Sequence, residues 1–286
     1  MSAQLINGTS TADDVYGEVA DGIGTITLNR PDRRNALSDA MVAGLESLLD
    51  AMQDSEDVGV IVITGAGRAF CSGGDVQDFD AKGGEGGGGT EVDASAVEAQ
   101  RQAQRATVGK IYRSRKPVIA AIPGAAAGAG LGLALAADFR IGSERAVFAT
   151  AFGAVGLSGD FGVAWLLNDI VGPVKARELM LLNPRVRAEE ARSLGLLNEV
   201  VPEDEFDARV RALAEQLANG PAQAYEYMLD NLDRAPRVSL EESMDAEVPL
   251  HKATGLTEDH IGAVRAFVEK RTPVFGKRAA TAGGDR

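Results

Sequence analysis

Apolar positions along the chain follow two patterns, one of alternation or continuous runs and one of helical spacing. Residues 15–29, "VYGEVADGIGTITLN", alternate on either side of Asp21-Gly22, which predicts two short strands joined by a tight turn. Ser38 precedes Met41, Leu45, Leu48, Leu49 and Met52, a spacing that predicts a capped helix with one apolar face. "VGVIVITG" (58–65) and "PVIAAI" (117–122) are continuous apolar runs and predict strands buried on both faces. A helix is expected from about Ala96 to Arg115, closed by Lys116-Pro117. Another is expected over "FGVAWLLNDIVGP", ending at Gly172-Pro173. Beyond Pro202 strand patterns cease, and helical segments are predicted over 203–219, 221–235, 239–254 and 257–270. The chain thus divides into a patternless, frayed tail (1–12), a mixed α/β core (13–202) and a helical C-terminal region (203–286).

Charge and cysteine content narrow the chemistry. A formal net charge of −13 argues against nucleic acid or an anionic membrane as a partner, although a few local cations still suffice for a small anionic ligand. The single cysteine, Cys71, excludes an intrachain disulfide framework. With only His251 and His260 beside it, no ordinary zinc site is expected. No leader-like apolar segment follows a basic start and no apolar run reaches membrane-spanning length, so a cytoplasmic protein is the default reading. Residues 81–95, "AKGGEGGGGTEVDAS", form the one low-complexity stretch, and its glycines predict mobility.

Two glycine-rich turns share a design. In "ITGAGRAFCSGGD" (63–75) and "AAIPGAAAGAGLGLALAAD" (120–138), a buried strand runs into a small-residue turn. Glycine allows close backbone approach, and a strand leading into a helix presents unpaired N–H groups, so two converging turns can hold an oxyanion. The alternative is that these glycines only permit tight helix–sheet packing. Gly124, Gly128 and Gly130 also have the spacing of a short-chain dehydrogenase loop, and Tyr112 with Lys116 supplies a Tyr/Lys pair. That pair precedes the glycines, however, and the loop lies in mid-chain, so the dehydrogenase reading is disfavoured.

Taken together, "ITLNRPDRRNALS", "ITGAGRAFCSGGD", "KPVIAAIPGAAAGAGLGLALAADFRI", "LGLLNEVVP" and "AFVEKRTPVF" resemble the enoyl-CoA hydratase/isomerase (crotonase) superfamily, from about Val15 to Gly276. The resemblance implies a crotonase-like α/β spiral of ββα units, with a C-terminal helical region used to form homotrimers or dimers of trimers. It implies an acyl-CoA thioester substrate, with coenzyme A carried on the substrate and no separate cofactor. The thioester oxyanion would be held by the backbone N–H groups of Gly74 and Ala129. Arg30, Arg33 and Arg34 would meet the CoA phosphates, and Phe267 and Lys270 match a segment that reaches the CoA of a neighbouring subunit.

The family's hydratases use two glutamates, and the matching positions here are Gly132 and Phe152, neither of which transfers protons. Asp160 lies where dienoyl-CoA isomerases and 4-chlorobenzoyl-CoA dehalogenases of the superfamily carry a reactive aspartate. Its other reading is the N-cap of the helix that follows. One carboxylate suffices for a 1,3 proton shift, whereas hydration usually needs a second group, so double-bond isomerisation is favoured. Asp78 and Asp80 are weaker candidates for a second acid, Cys71 reads as a buried structural thiol, and Asp138 reads as a structural carboxylate bonded to backbone. Hydration without the glutamates, hydrolysis or dehalogenation, and a non-catalytic acyl-CoA-binding protein remain the alternatives.

Overall fold

The computed structural model describes residues 14–276, together with the backbone of residues 4 and 5. Its eleven strands, in chain order, are β1 (Gln4–Leu5), β2 (Val15–Ala20), β3 (Ile23–Leu28), β4 (Val60–Gly65), β5 (Ala69–Cys71), β6 (Val118–Ile122), β7 (Ala125–Ala127), β8 (Phe139–Ser143), β9 (Val147–Ala149), β10 (Val186–Arg187) and β11 (Glu199–Val201). They form two sheets, ordered β1-β2-β3-β4-β6-β8-β11 and β10-β9-β7-β5. Each turn of the spiral adds one strand to each sheet. Thus β4, β6 and β8 run parallel in the large sheet, while β5, β7 and β9 run parallel in the small one. Helices complete two of these units, with Val76–Lys82 after β5 and Ala129–Leu135 after β7. This is the expected spiral of ββα units, and the site lies where the small sheet's strands run into those helices.

The local signals act as their chemistry predicts. Asp21 and Gly22 both have positive φ (54° and 81°), so the tight turn joins β2 and β3 in antiparallel register, Ala20 opposite Ile23. The Ser38 hydroxyl accepts the Met41 N–H at 3.1 Å and opens the helix Asp39–Asp54. All five predicted apolar positions of that helix are buried. Its far end is closed from another part of the chain. Lys116, 2% exposed, donates from Nζ to the carbonyls of Met52 (2.7 Å) and Ser55 (2.5 Å). The lysine of the Tyr/Lys pair is therefore a helix closure, and Tyr112 instead packs edge-to-face on Trp165 at 5.3 Å. Nothing remains of the dehydrogenase reading.

Several boundaries differ from expectation. The tail reading falls mostly outside the described residues, but the backbone of Gln4–Leu5 pairs with β2 and extends the large sheet. The helix expected over 96–115 is two helices, Ala94–Ala106 and Val108–Tyr112, because buried Thr107 adopts φ −113°, ψ −88° and turns its hydroxyl back to the Ala103 carbonyl. The helix after Asp160 begins at Val163; Gly172 breaks it with φ 74°, ψ 166°, and helical structure then resumes to Leu182. In the C-terminal region the four predicted helices occur at Phe206–Ala218, Ala222–Arg234, Leu240–Thr254 and Glu258–Val268. The first packs into a buried apolar cluster against β4, β6 and β8, with Tyr225 of the second at its edge, while Leu232, Leu240, Phe267 and Val268 on the later helices and Leu256 in the turn between the last two stay exposed. Among the described residues no helix is long and apolar enough to cross a membrane.

Two stability predictions follow from the interior. Lys116→Met removes both helix-closing bonds while keeping the stem, and it should lower unfolding free energy by about 2 kcal/mol in chemical denaturation. Cys71 is fully buried, and burial pushes its thiol up to about 12 despite a bond from the Gly73 backbone. It should be silent to a thiol reagent in the folded protein and react only after denaturant is added.

Candidate active site

The first glycine-rich turn is held from behind by the segment after β3. Asn35 is fully buried at φ 56°. Its Nδ2 donates to the carbonyls of Ala66 (3.0 Å) and Ala69 (2.8 Å), and its Oδ1 accepts the Arg30 N–H. The Leu37 N–H donates to the Gly73 carbonyl at 2.8 Å, making a parallel bridge between Leu37 and Gly74. Asp75 then locks the turn. Its carboxylate accepts the Gln77 and Asp78 N–H groups as the cap of helix Val76–Lys82, and also takes the guanidinium groups of Arg30 (3.1 Å) and Arg33 (3.2 Å). Burial pushes this carboxyl up, but the Arg30 bond, the cap amide and the two positive charges outweigh it and hold it below its ordinary value.

The second turn lies directly against the first. A Cβ on Gly73 would sit 2.8 Å from the Ala127 carbonyl oxygen and 3.2 Å from the Ala129 nitrogen, and Gly73 itself has φ 90°. Only glycine permits that approach. A Cβ on Gly130 would lie 2.4 Å from the Cys71 carbonyl oxygen. The backbone N–H groups of Gly74 and Ala129 make no hydrogen bond among the described residues. Two unpaired donors on touching turns are the arrangement an oxyanion requires.

Beside this pair the expected acid positions are filled with apolar matter. At Gly132 a Cβ would meet the Phe161 carbonyl oxygen at 2.4 Å, so no side chain fits there without moving the Phe161 backbone. Phe152 is 7% exposed, and its ring lies against Gly128 and Gly159. A cavity of about 300 Å³ is walled by Val76, Phe79, Asp80, Glu85, Val155 and Leu157. The Phe79 ring also covers Gly74, where a Cβ would lie 2.8 Å from it. A cavity of about 340 Å³ lies elsewhere, between the large sheet and the helix Phe206–Ala218, and touches neither turn.

Asp160 is not the helix cap. The cap position is Gly162 at φ 69°, with no side-chain bond, and only the Asp160 main-chain carbonyl reaches the helix, accepting from Val163 at 3.1 Å. Its carboxylate is therefore free of capping. Oδ2 accepts from Gln100 Nε2 at 2.8 Å, while Oδ1 is buried with no partner. Burial, reinforced by the negative charge of Glu85 and opposed by the Gln100 bond, raises this carboxyl to about 6. An acid–base group tuned toward neutrality and carrying one open oxygen is equipped to move a proton near neutral pH.

The remaining candidates separate clearly. Asp80 lies on the cavity wall, whereas Asp78 is held at the start of its helix. Arg30 turns its donors inward, to Asp75 and to the Ala36 carbonyl at 2.6 Å, so it braces the turn. Arg33 shares Asp75 and also bonds Gln77 but stays partly exposed, and Arg34 is exposed with no side-chain partner among the described residues. Phe267 (85% exposed) and Lys270 stand in solvent at the end of the last helix. Asp138 accepts the Val118 N–H at 2.7 Å, as a structural carboxylate, and burial raises it to about 6. The sequence reading missed Gln100 and Glu85, since a glutamine 60 residues before its partner leaves no local pattern. The "GGD" preceding a helix did carry a capping signal for Asp75.

Comparison with known proteins agrees with this geometry. The sequence profile of the enoyl-CoA hydratase/isomerase family matches residues 18–278. A probable enoyl-CoA hydratase from Rhodobacter capsulatus is 37% identical over 261 residues, covering 91% of this chain and 97% of its own. The 1,2-epoxyphenylacetyl-CoA isomerase of Escherichia coli is 33% identical over 264 residues, with the same coverages. The crystal structure of an enoyl-CoA hydratase from a Polaromonas species superposes with a TM-score of 0.83 at 30% identity, covering 92% of this chain and 99% of that one. A strand-to-turn spiral that brings two free amides together, matched over nearly its whole length, identifies the chain as a member of the enoyl-CoA hydratase/isomerase family.

Proposed function

We propose that this enzyme moves a double bond within an acyl-CoA thioester, with Asp160 as the base that carries the proton. The observation behind this reading is the buried, unpartnered Oδ1 of Asp160, a carboxyl that feels the charge of Glu85 on the cavity wall, at a site whose expected glutamate positions are Gly132 and Phe152. Similarity to the 1,2-epoxyphenylacetyl-CoA isomerase adds weight to isomerase chemistry. In the reaction, the thioester oxygen takes hydrogen bonds from the Gly74 and Ala129 N–H groups. Oδ1 removes a proton from the carbon between the thioester carbonyl and the double bond, and the electron pair delocalises into a dienolate whose oxygen those amides hold. Each such donor contributes roughly 3–4 kcal/mol of transition-state stabilisation. The same carboxyl returns the proton two carbons away, so nothing is gained or lost overall. Phe152 and Phe161 keep the site dry, which favours proton return over water addition.

Binding of the CoA portion falls to the exposed cations of the same turn. Arg34 and the outer edge of Arg33 are free to meet phosphate, with Phe267 and Lys270 reaching a neighbouring subunit's ligand in a homotrimer or dimer of trimers. The exposed apolar residues of the C-terminal helical region, Leu232, Leu240, Leu256 and Val268 among them, support such an assembly.

Two outcomes test the reading. Asp160→Asn keeps the shape and the Gln100 contact but removes the base, and it should cut isomerisation of 3-enoyl-CoA by roughly 10²–10⁴-fold while CoA affinity is retained. Unchanged turnover would remove Asp160 from the mechanism. Because the base works ionised, kcat/KM should rise with pH through about 6 and plateau above it, losing activity as pH falls through that value. A pH–rate profile flat from pH 5 to 8 would contradict the assignment.

A further inference from the structure

We infer that Gln100 is the positioning residue of this site: through its amide it fixes the Asp160 carboxyl so that Oδ1, and not Oδ2, faces the reacting carbon. The inference rests on the reading of Asp160 as the base. Two independent features of the geometry lead to it. The 2.8 Å bond from Gln100 Nε2 occupies Oδ2, and Oδ1 is the one buried side-chain polar atom among the described residues that lacks a partner. A buried carboxylate oxygen without a protein donor calls for a reason, and a reacting group at that oxygen supplies one.

The chemistry of the partner suits the task. An ionised carboxylate only accepts, so it takes the amide N–H; once Asp160 carries the proton, the same amide can turn and accept from the acid O–H. A primary amide thus holds the carboxyl in both halves of a proton shuttle. A lysine or arginine there would pair with the ionised form alone and depress its basicity strongly. Gln100 sits on the helix Ala94–Ala106, directly after the glycine-rich stretch, and reaches a residue 60 positions later. The charged group acting on Asp160 is Glu85, on the turn following the helix Val76–Lys82, and it opposes Gln100. Phe152 and Phe161, the aromatic neighbours, present no charge.

The two neighbours should therefore move the base in opposite directions. Gln100→Leu removes the bond that favours the ionised form, so the acid limb of kcat/KM should move up by roughly one pH unit. Loss of orientation should lower kcat by roughly 10- to 100-fold with KM little changed. Glu85→Gln removes a negative charge and should move the same limb down, and its place in an exposed turn keeps that variant folded. Titration of the Asp160 carboxyl by infrared difference spectroscopy, assigned by the band lost in Asp160→Asn, reads the same shifts without turnover. Opposite displacements of limb and band in the two variants are the expected result. If Asp160→Asn abolishes turnover yet Gln100→Leu leaves limb, band and kcat in place, the role of Gln100 is overturned and Asp160 stands. If the band moves in Gln100→Leu but Asp160→Asn turns over normally, both assignments fall together.

Discussion

The site depends on one close contact between two stretches of backbone. Gly73 and Ala127–Ala129 lie so near that a single Cβ on Gly73 would stand 2.8 Å from a carbonyl oxygen. This contact joins the β5 and β7 ends of the small sheet and leaves two amides, at Gly74 and Ala129, without hydrogen-bond partners among the described residues. Everything around it serves to hold that approach. Asn35 ties the preceding segment to Ala66 and Ala69, Leu37 bridges to Gly74, and the buried carboxylate of Asp75 gathers Arg30, Arg33 and its own helix start into one knot. Preorganisation of this kind matters because donors already in place need no rearrangement when charge develops.

On that platform the chemistry open to the site depends on what fits beside the amides. Gly132 has no room for a side chain, because the Phe161 backbone lies against it. Positive φ at Gly159, Phe161 and Gly162 (111°, 46° and 69°) bends the chain so that Phe161 can lie there, and the same bend moves the helix cap from Asp160 to Gly162. Crowding at Gly132 and release of Asp160 from capping are thus two results of one local conformation. Left-handed backbone at a bulky residue such as Phe161 costs of order 1–3 kcal/mol, the kind of strain that recurs at functional sites.

Much of this was legible in the sequence, for identifiable reasons. Signals that depend on near neighbours held: the Asp21-Gly22 turn, the Ser38 cap with its apolar stripe, and the buried runs at 60–65 and 118–122. The two glycine turns were visible because tight backbone approach leaves glycine as its mark. What the sequence could not carry was pairing across distance. The Lys116 closure of a helix 60 residues earlier, the inward orientation of Arg30 and the Gln100–Asp160 bond all depend on the spiral bringing remote segments together. The cap reading of Asp160 failed for a local reason, since a glycine two residues later took the position with a conformation that pattern reading does not see.

In the proposed reaction one carboxylate shuttles a proton while the paired amides hold the dienolate. Its most direct test is mass analysis of CoA thioesters after incubating 3-enoyl-CoA with the protein in D₂O enriched in ¹⁸O. The account predicts a relocated double bond, deuterium at the shifted carbons where the carboxyl exchanges with solvent, and no ¹⁸O in the product. A hydroxyacyl-CoA bearing ¹⁸O would contradict it, because water would then be a reactant in a site argued to exclude it.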